Sequence, residues 1–241
     1  MESLSPASSA SEIISHLKSI GSEENRQGMK RYGIKIDRAL GISHGVQRDI
    51  ARKIKRNHQR AFELWASGIM EARFIASVTA DPRQFTADDA RRWAAEFDSW
   101  DIVDGVTDLF VECDCWRSLI DEFAADEREF VRRAAFAMMA WASVHRKKEP
   151  DATMLGFFPL IREHAGDPRN FVWKAVSWAL RSIGKRSMDL NKAAVVLAKE
   201  LSESLDKTTR RIGKDSQREL TSEKTLNSIS RREANRAKRE K

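Results

Sequence analysis

Cysteine is almost missing from this chain: among 241 residues only Cys113 and Cys115 carry thiols, either side of Asp114, with no second pair to complete a tetrahedral zinc site or a disulfide framework. A reducing compartment, no structural metal and no cofactor are therefore expected. Long hydrophobic runs are missing too. No apolar stretch approaches the roughly 18 residues that mark a bilayer-spanning helix. The segment Met1 to Ala10, rich in Ser and Ala with an early Glu2, offers neither a basic n-region nor an apolar h-region. The expectation is a cytoplasmic monomer with no membrane partner. Strand signals are as scarce, since no period-two run of β-branched residues flanks an Asn-Gly or Asp-Gly turn. Signatures of several enzyme classes are absent as well: there is no phosphate-cradling glycine loop and no His-Glu-x-x-His, and His16, His44, His58, His145 and His164 are scattered without ligand spacing.

What is present is charge, unevenly placed. The formal net charge is +7, yet residues 206–241 hold 12 Lys/Arg against 6 Asp/Glu, which leaves residues 1–205 at only +1. A nucleic-acid face on the body would thus have to arise from sorting charges onto one side. The last twenty residues, 222–241, have no apolar residue larger than Ala beyond Ile229, and read as a disordered basic arm: either a source of non-specific phosphate affinity or a solubilising end. Residues 1–10 read as a flexible N-terminus and 11–221 as a single folded domain.

Helical periodicity recurs throughout that domain. Apolar residues fall three and four apart at Ile13, Ile14, Leu17 and Ile20; at Phe62, Trp65, Ile69, Ala72 and Ala76; and from Val131 to Ala142, Val172 to Ile183 and Ala194 to Leu201. Breaks fall at Asp81-Pro82, Glu149-Pro150-Asp151 and Gly166-Asp167-Pro168. Helices of about 10 to 18 residues without strands form a bundle or a helical solenoid. The segments around Trp100, Arg133 and Trp178 recur at separations compatible with HEAT-type helix pairs of roughly 40 residues, so the expected fold is an all-α solenoid of antiparallel pairs, a curved stack with a concave groove.

Three helices carry unusual residues opposite their apolar stripes. At about 100° per residue, Ile102, Val103, Val106, Leu109 and Phe110 share one face while Trp100 and Asp104 stand together on the other. The indole could pack on the next repeat and the carboxylate could cap or pair, or both could serve a ligand. Arg133 lies opposite Val131, Ala135, Met138 and Ala142, beside the small Ala137 and Ala140, and is either a solvated arginine or a bidentate phosphate ligand with room for a backbone to approach. Lys174, Trp178, Arg181 and Lys185 form a basic stripe with an aromatic ring inside it, as a DNA backbone requires, or else a cation–π packed surface. Stacked repeats would bring Trp100, Asp104, Arg133 and Trp178 to one groove. A carboxylate in a groove built for an anion implies that it meets something positive, such as an alkylated base or the oxocarbenium-like sugar left as its glycosidic bond breaks.

These residues resemble the AlkD-like DNA alkylation repair glycosylases, a family of HEAT-like α-solenoids, over roughly Tyr32 to Gly213. The string Trp100 to Asp104 looks like that family's Trp and catalytic Asp, and Arg132-Arg133-Ala134-Ala135 is similar to its Arg-Ala-Ala helix. The run Asn170 to Arg181 is the most specific match, with Trp178 on the second aromatic, and Tyr32, followed by Gly41-Ile42, resembles the N-terminal tyrosine of the same groove. The resemblance implies removal of cationic N3- and N7-alkylated purines from double-stranded DNA to leave an abasic site, without insertion of the base into a deep pocket. In that reading Trp100 and Trp178 hold the deoxyribose, Asp104 stabilises the sugar cation and orients a water, Arg133 holds a phosphate, and Lys174, Arg181, Lys185 and Tyr32 contact DNA; no metal or lysine Schiff base is needed. Some relatives in the wider superfamily bind DNA, including branched DNA, without known base excision, so a non-catalytic DNA binder stays open, as does a protein–protein scaffold.

Overall fold

The computed structural model describes residues 4–239. The described residues divide into two compact units, with the boundary between Trp116 and Arg117. The described residues contain helices and no strand, and no helix among them is long and apolar enough to cross a membrane.

The first unit runs α1 (Ala10–Ile20), α2 (Glu23–Met29), a 3-10 turn (Lys30–Tyr32), α3 (His44–Ile54), α4 (His58–Ala66), α5 (Met70–Thr79), α6 (Ala87–Ala94) and α7 (Trp100–Glu112). Side-chain caps start most of these helices: Ser9 with Glu12 at α1 and Thr86 with Asp89 at α6 are reciprocal capping boxes. The periodic stripe from Phe62 to Ala76, which reads as one helix, is two. α4 stops at Ala66, Gly68 takes φ +70°, and α5 begins at Met70, because a glycine in the left-handed region reverses the chain at little steric cost. The core joins α4 to α6 through Trp65 stacked on Trp93, ring centroids 4.0 Å apart and planes at 6°, and continues through Phe62, Phe85, Phe97 and Phe110.

The chain ahead of α1 is fastened rather than loose. The buried Arg60 guanidinium donates to the carbonyls of Pro6 and Ser8, both at 2.9 Å, and also to those of Ile54 and Lys55. Pro6 and Ser8, within the stretch 1–10 expected to be flexible, are thus tied to α4, while residues 1–3 lie outside the described part.

The second unit comprises α8 (Trp116–Ala125), which begins at the boundary, then α9 (Glu129–His145), α10 (Asp151–Leu155), α11 (Phe158–His164), α12 (Asn170–Gly184), α13 (Met188–Ser202), α14 (Lys207–Leu220) and α15 (Glu223–Arg239). α9 packs on α12 and α13 on α14. Gly213 shows how close the second pair lies, since a Cβ there would stand 2.2 Å from the Ser202 backbone nitrogen and 2.6 Å from the Ala198 carbonyl oxygen. The basic end expected to be disordered is helical from Glu223. Three anchors that sequence composition does not reveal hold α15: Ile229 is fully buried, the Glu233 carboxylate accepts the Met188 N–H at 2.8 Å, and the Arg232 guanidinium donates to the Lys185 carbonyl. Residues 240 and 241 lie outside the described part.

Candidate nucleic-acid interface

In the first unit α7 sorts its side chains as its periodicity dictates. Ile102, Val103, Val106, Leu109 and Phe110 are buried, while Trp100 and Asp104, one turn apart, are left half-buried on the other side. Trp100 is held. Its indole N–H donates to the Tyr32 carbonyl at 2.9 Å, which brings two of the sequence-derived candidates together. Tyr32 ends the 3-10 turn because Gly33 follows at φ +71° and donates its N–H to the Lys30 carbonyl. The phenol side chain itself is 71 % exposed, an unusual place for the chain's one tyrosine. One residue along from Trp100, the Asp101 carboxylate faces inward and meets His44 Nε2 at 3.2 Å.

In the second unit the candidates are placed less uniformly. Arg133 is not a solvated residue: it is 5 % exposed, and its guanidinium donates to the Phe171 carbonyl at 2.6 Å, tying α9 to the start of α12. Ala137 and Ala140, which the wheel places on an open face, are buried as well, because α9 is covered on nearly all sides along its middle. The neighbouring Arg132 donates to the buried Asp167 carboxylate at 3.0 Å, and Arg169 chelates the same carboxylate. Burial pushes the Asp167 carboxyl up, but hydrogen bonds from Arg169, from its backbone N–H and from Arg132 outweigh that and set it at about 2.

Trp178 is half-buried on α12, its ring edge-on to Trp141 of α9 with centroids 5.5 Å apart and planes at 84°. Of the basic stripe around it, Lys174 is exposed, with Nζ 5.8 Å from the Trp173 ring. Arg181 and Lys185 are both engaged by Glu219 of α14, Lys185 at 2.7 Å. Burial pushes the Glu219 carboxyl up, yet hydrogen bonds from Lys185 and Arg181 hold it below the usual carboxylate range, so it stays ionised between them.

Sequence reasoning passed over Trp173 and Arg211. The Arg211 guanidinium of α14 lies 4.4 Å from the Trp173 ring centroid, which joins Lys174 and the exposed side of α14 into one basic and aromatic surface. The spacing of Arg211, Lys214 and Arg218, three and four apart, was the available signal.

The family described as DNA alkylation repair enzyme matches residues 13–237 of the chain. No curated protein matches it. Among solved structures, one described as a new family of proteins related to the HEAT-like repeat DNA glycosylases with affinity for branched DNA structures is similar, with a TM-score of 0.74 at 21 % identity over 88 % of this chain and 95 % of that one. At that identity the likeness is one of fold.

Proposed function

The chain belongs to the DNA alkylation repair enzyme family, and from that premise we propose that it is a monofunctional DNA glycosylase that releases cationic N3- and N7-alkylated purines from duplex DNA. The observation that carries this reading is the pairing on α7: a half-buried indole, fixed by its N–H to the Tyr32 carbonyl, with a carboxylate one turn away on the same face. An aromatic and an acid displayed together suit a deoxyribose that is becoming a cation.

In the proposed reaction the C1′–N bond breaks with its electron pair going to the base. The base already bears a positive charge, leaves neutral, and needs no general acid. Positive charge then builds on C1′ and O4′, where the Asp104 carboxylate stabilises it by charge attraction in a setting partly shielded from water. Water adds to C1′ opposite the departing base and its proton passes to solvent, leaving an abasic site. The Trp100 ring would hold the sugar by apolar contact. Lys174 and Arg211 are the cations we assign to phosphate. Arg181 and Lys185 act there only in exchange for Glu219, and Arg133 contributes mainly by holding Phe171 in place.

The second reading, binding without excision, is favoured by the solved relative's described affinity for branched DNA. Purified protein incubated with duplexes carrying 7-methylguanine or 3-methyladenine separates the two. Release of free base at a rate above that of the protein-free duplex is the expected result. Tight binding to a four-way junction with no base release from either duplex would establish the alternative.

A further inference from the structure

The composition of residues 222–241 suits either a phosphate-binding end or a solubilising one, and folding as α15 decides how its charges are displayed. One side of α15 packs on the rest of the second unit: Ile229 is fully buried, Thr225 is buried one turn before it, and Arg232, one turn after, donates to the Lys185 carbonyl. At about 100° per residue the opposite side carries Lys224, Arg231 and Lys238, seven residues apart and so within about 40° of one another. All three are exposed. The helical rise sets them about 10 Å apart in a row about 21 Å long, with the exposed Asn227 and Asn235 between them.

Elsewhere in the chain, cations on helix surfaces meet an acid three residues away: Arg26 with Glu23, Arg52 with Asp49, Arg91 with Asp88, Lys192 with Asp189 and Arg218 with Asp215. Pairs of that kind are what a face built only for solubility and helix stability contains. The α15 row has none. Within the helix, every neighbour three or four residues from Lys224, Arg231 or Lys238 is neutral, namely Asn227, Ser228, Ala234 and Asn235, and none of the three cations is ion-paired with a described residue. The acids of α15 stand off the row by about 60° or more, and Glu233 is spent on the Met188 N–H. Lys224 also lies in the first turn, where the positive end of the helix dipole disfavours a cation, so helix stability does not account for it.

We propose that this outer row of α15 is a docking surface for the sugar–phosphate backbone of duplex DNA, additional to Lys174 and Arg211 and indifferent to base sequence. Unpaired cations at fixed spacing release counterions from a polyanion of fixed charge, and the Asn227 and Asn235 amides add donors for phosphate oxygens. A single strand would ask for aromatic platforms, and α15 has no aromatic residue. A bilayer surface would ask for large apolar side chains beside the cations, and on this side of the helix the one apolar residue is Ala234. The proposal stands without the glycosylase reading; joined to it, α15 supplies affinity that carries no information about the lesion.

The test is fluorescence anisotropy of two labelled, lesion-free duplexes of unrelated sequence, titrated with the intact chain over a range of salt concentrations. Both should bind alike and weaken steeply as salt rises. Arg231→Gln with Lys238→Gln should weaken binding roughly fivefold or more and make the slope of log affinity against log salt shallower by about 2, one for each lost phosphate contact. Glutamine is a good helix former, so α15 persists, as unchanged far-UV circular dichroism would verify. Two controls should stay within about twofold of wild type, because they leave the charges of the row in place: Lys192→Gln with Lys199→Gln, at exposed positions of α13, and the charge-preserving Arg231→Lys with Lys238→Arg. Absence of salt-dependent duplex binding by the wild type overturns the proposal, as does unchanged affinity and slope in the first variant, or an equal loss in the α13 control. Binding to vesicles of phosphatidylserine and phosphatidylcholine that is lost in the first variant while duplex affinity is kept overturns it as well. These duplexes carry no alkylated base, so failure here leaves the glycosylase reading untouched, and a protein that binds through α15 but releases no base upholds the row and removes that reading alone.

Discussion

A tryptophan left half-buried on a helix keeps one orientation only if its indole N–H finds an acceptor, and Trp100 finds the Tyr32 carbonyl. Arginines in the second unit are used differently: Arg132, Arg133 and Arg169 are consumed in joining α9 to the loop and start of α12. Asp167 is the centre of that junction, and its charge state gives the junction a pH dependence. Its carboxyl sits at about 2 in the folded protein against an ordinary value of 3.8. A depressed carboxylate contributes stability that is whole above its unfolded pKa and is lost as pH falls through the folded one, here between about 4 and 2, and a shift of this size is worth about 2 kcal/mol. Urea unfolding should accordingly show Asp167→Asn well below wild type at pH 6, with the gap closing as pH drops toward 2. An equal gap at both ends of that range would show that ionisation of Asp167 does not stabilise the fold. The half-buried indole and carboxylate of α7 were legible in the sequence because both follow from one helix's periodicity. The burial of Arg133 and the capture of Arg181 and Lys185 by Glu219 were not, because each partner comes from another helix, 34 to 38 residues away in the chain.

Helix boundaries depended on the same distinction between local and distant information. Proline and cap residues marked where α10 begins and where α11 gives way to α12, and these are local signals. The division of the Phe62–Ala76 stripe was obscured because α4 and α5 pack on each other with their apolar faces in phase across Gly68, so the pattern runs on while the chain turns. The helical end, α15, was illegible for the opposite reason: it has little apolar surface of its own and owes its order to Ile229, Glu233 and Arg232 meeting other helices. Contact between helices also sets the limits of substitution. At Gly213 the α13 backbone leaves no room for a methyl group, and backbone cannot rotate aside as a long side chain would. Gly213→Ala should therefore destabilise the protein by about 3 kcal/mol or more, at the upper end of overpacking effects, read as a fall in the midpoint of thermal unfolding. A midpoint at or above that of wild type would mean that α13 and α14 can separate without cost.

At the level of the whole molecule, charge and chemistry are divided between the two units. Residues 206–241 carry 12 cationic residues against 6 acidic ones and form most of α14 and α15 in the second unit. Asp104 and Trp100 belong to the first. In the proposed reaction this division would separate affinity from chemistry: phosphate contacts in the second unit would hold duplex DNA in a salt-dependent way, while the carboxylate in the first would act only as positive charge develops on the sugar. The most direct measurement is single-turnover release of 7-methylguanine from duplex DNA by wild type and Asp104→Asn, at protein concentrations that saturate the duplex in each case. The account predicts duplex affinity within about twofold of wild type and release slower by roughly 100-fold or more, the usual scale for removing one electrostatic group from a transition state. Equal release rates from the two proteins would contradict it.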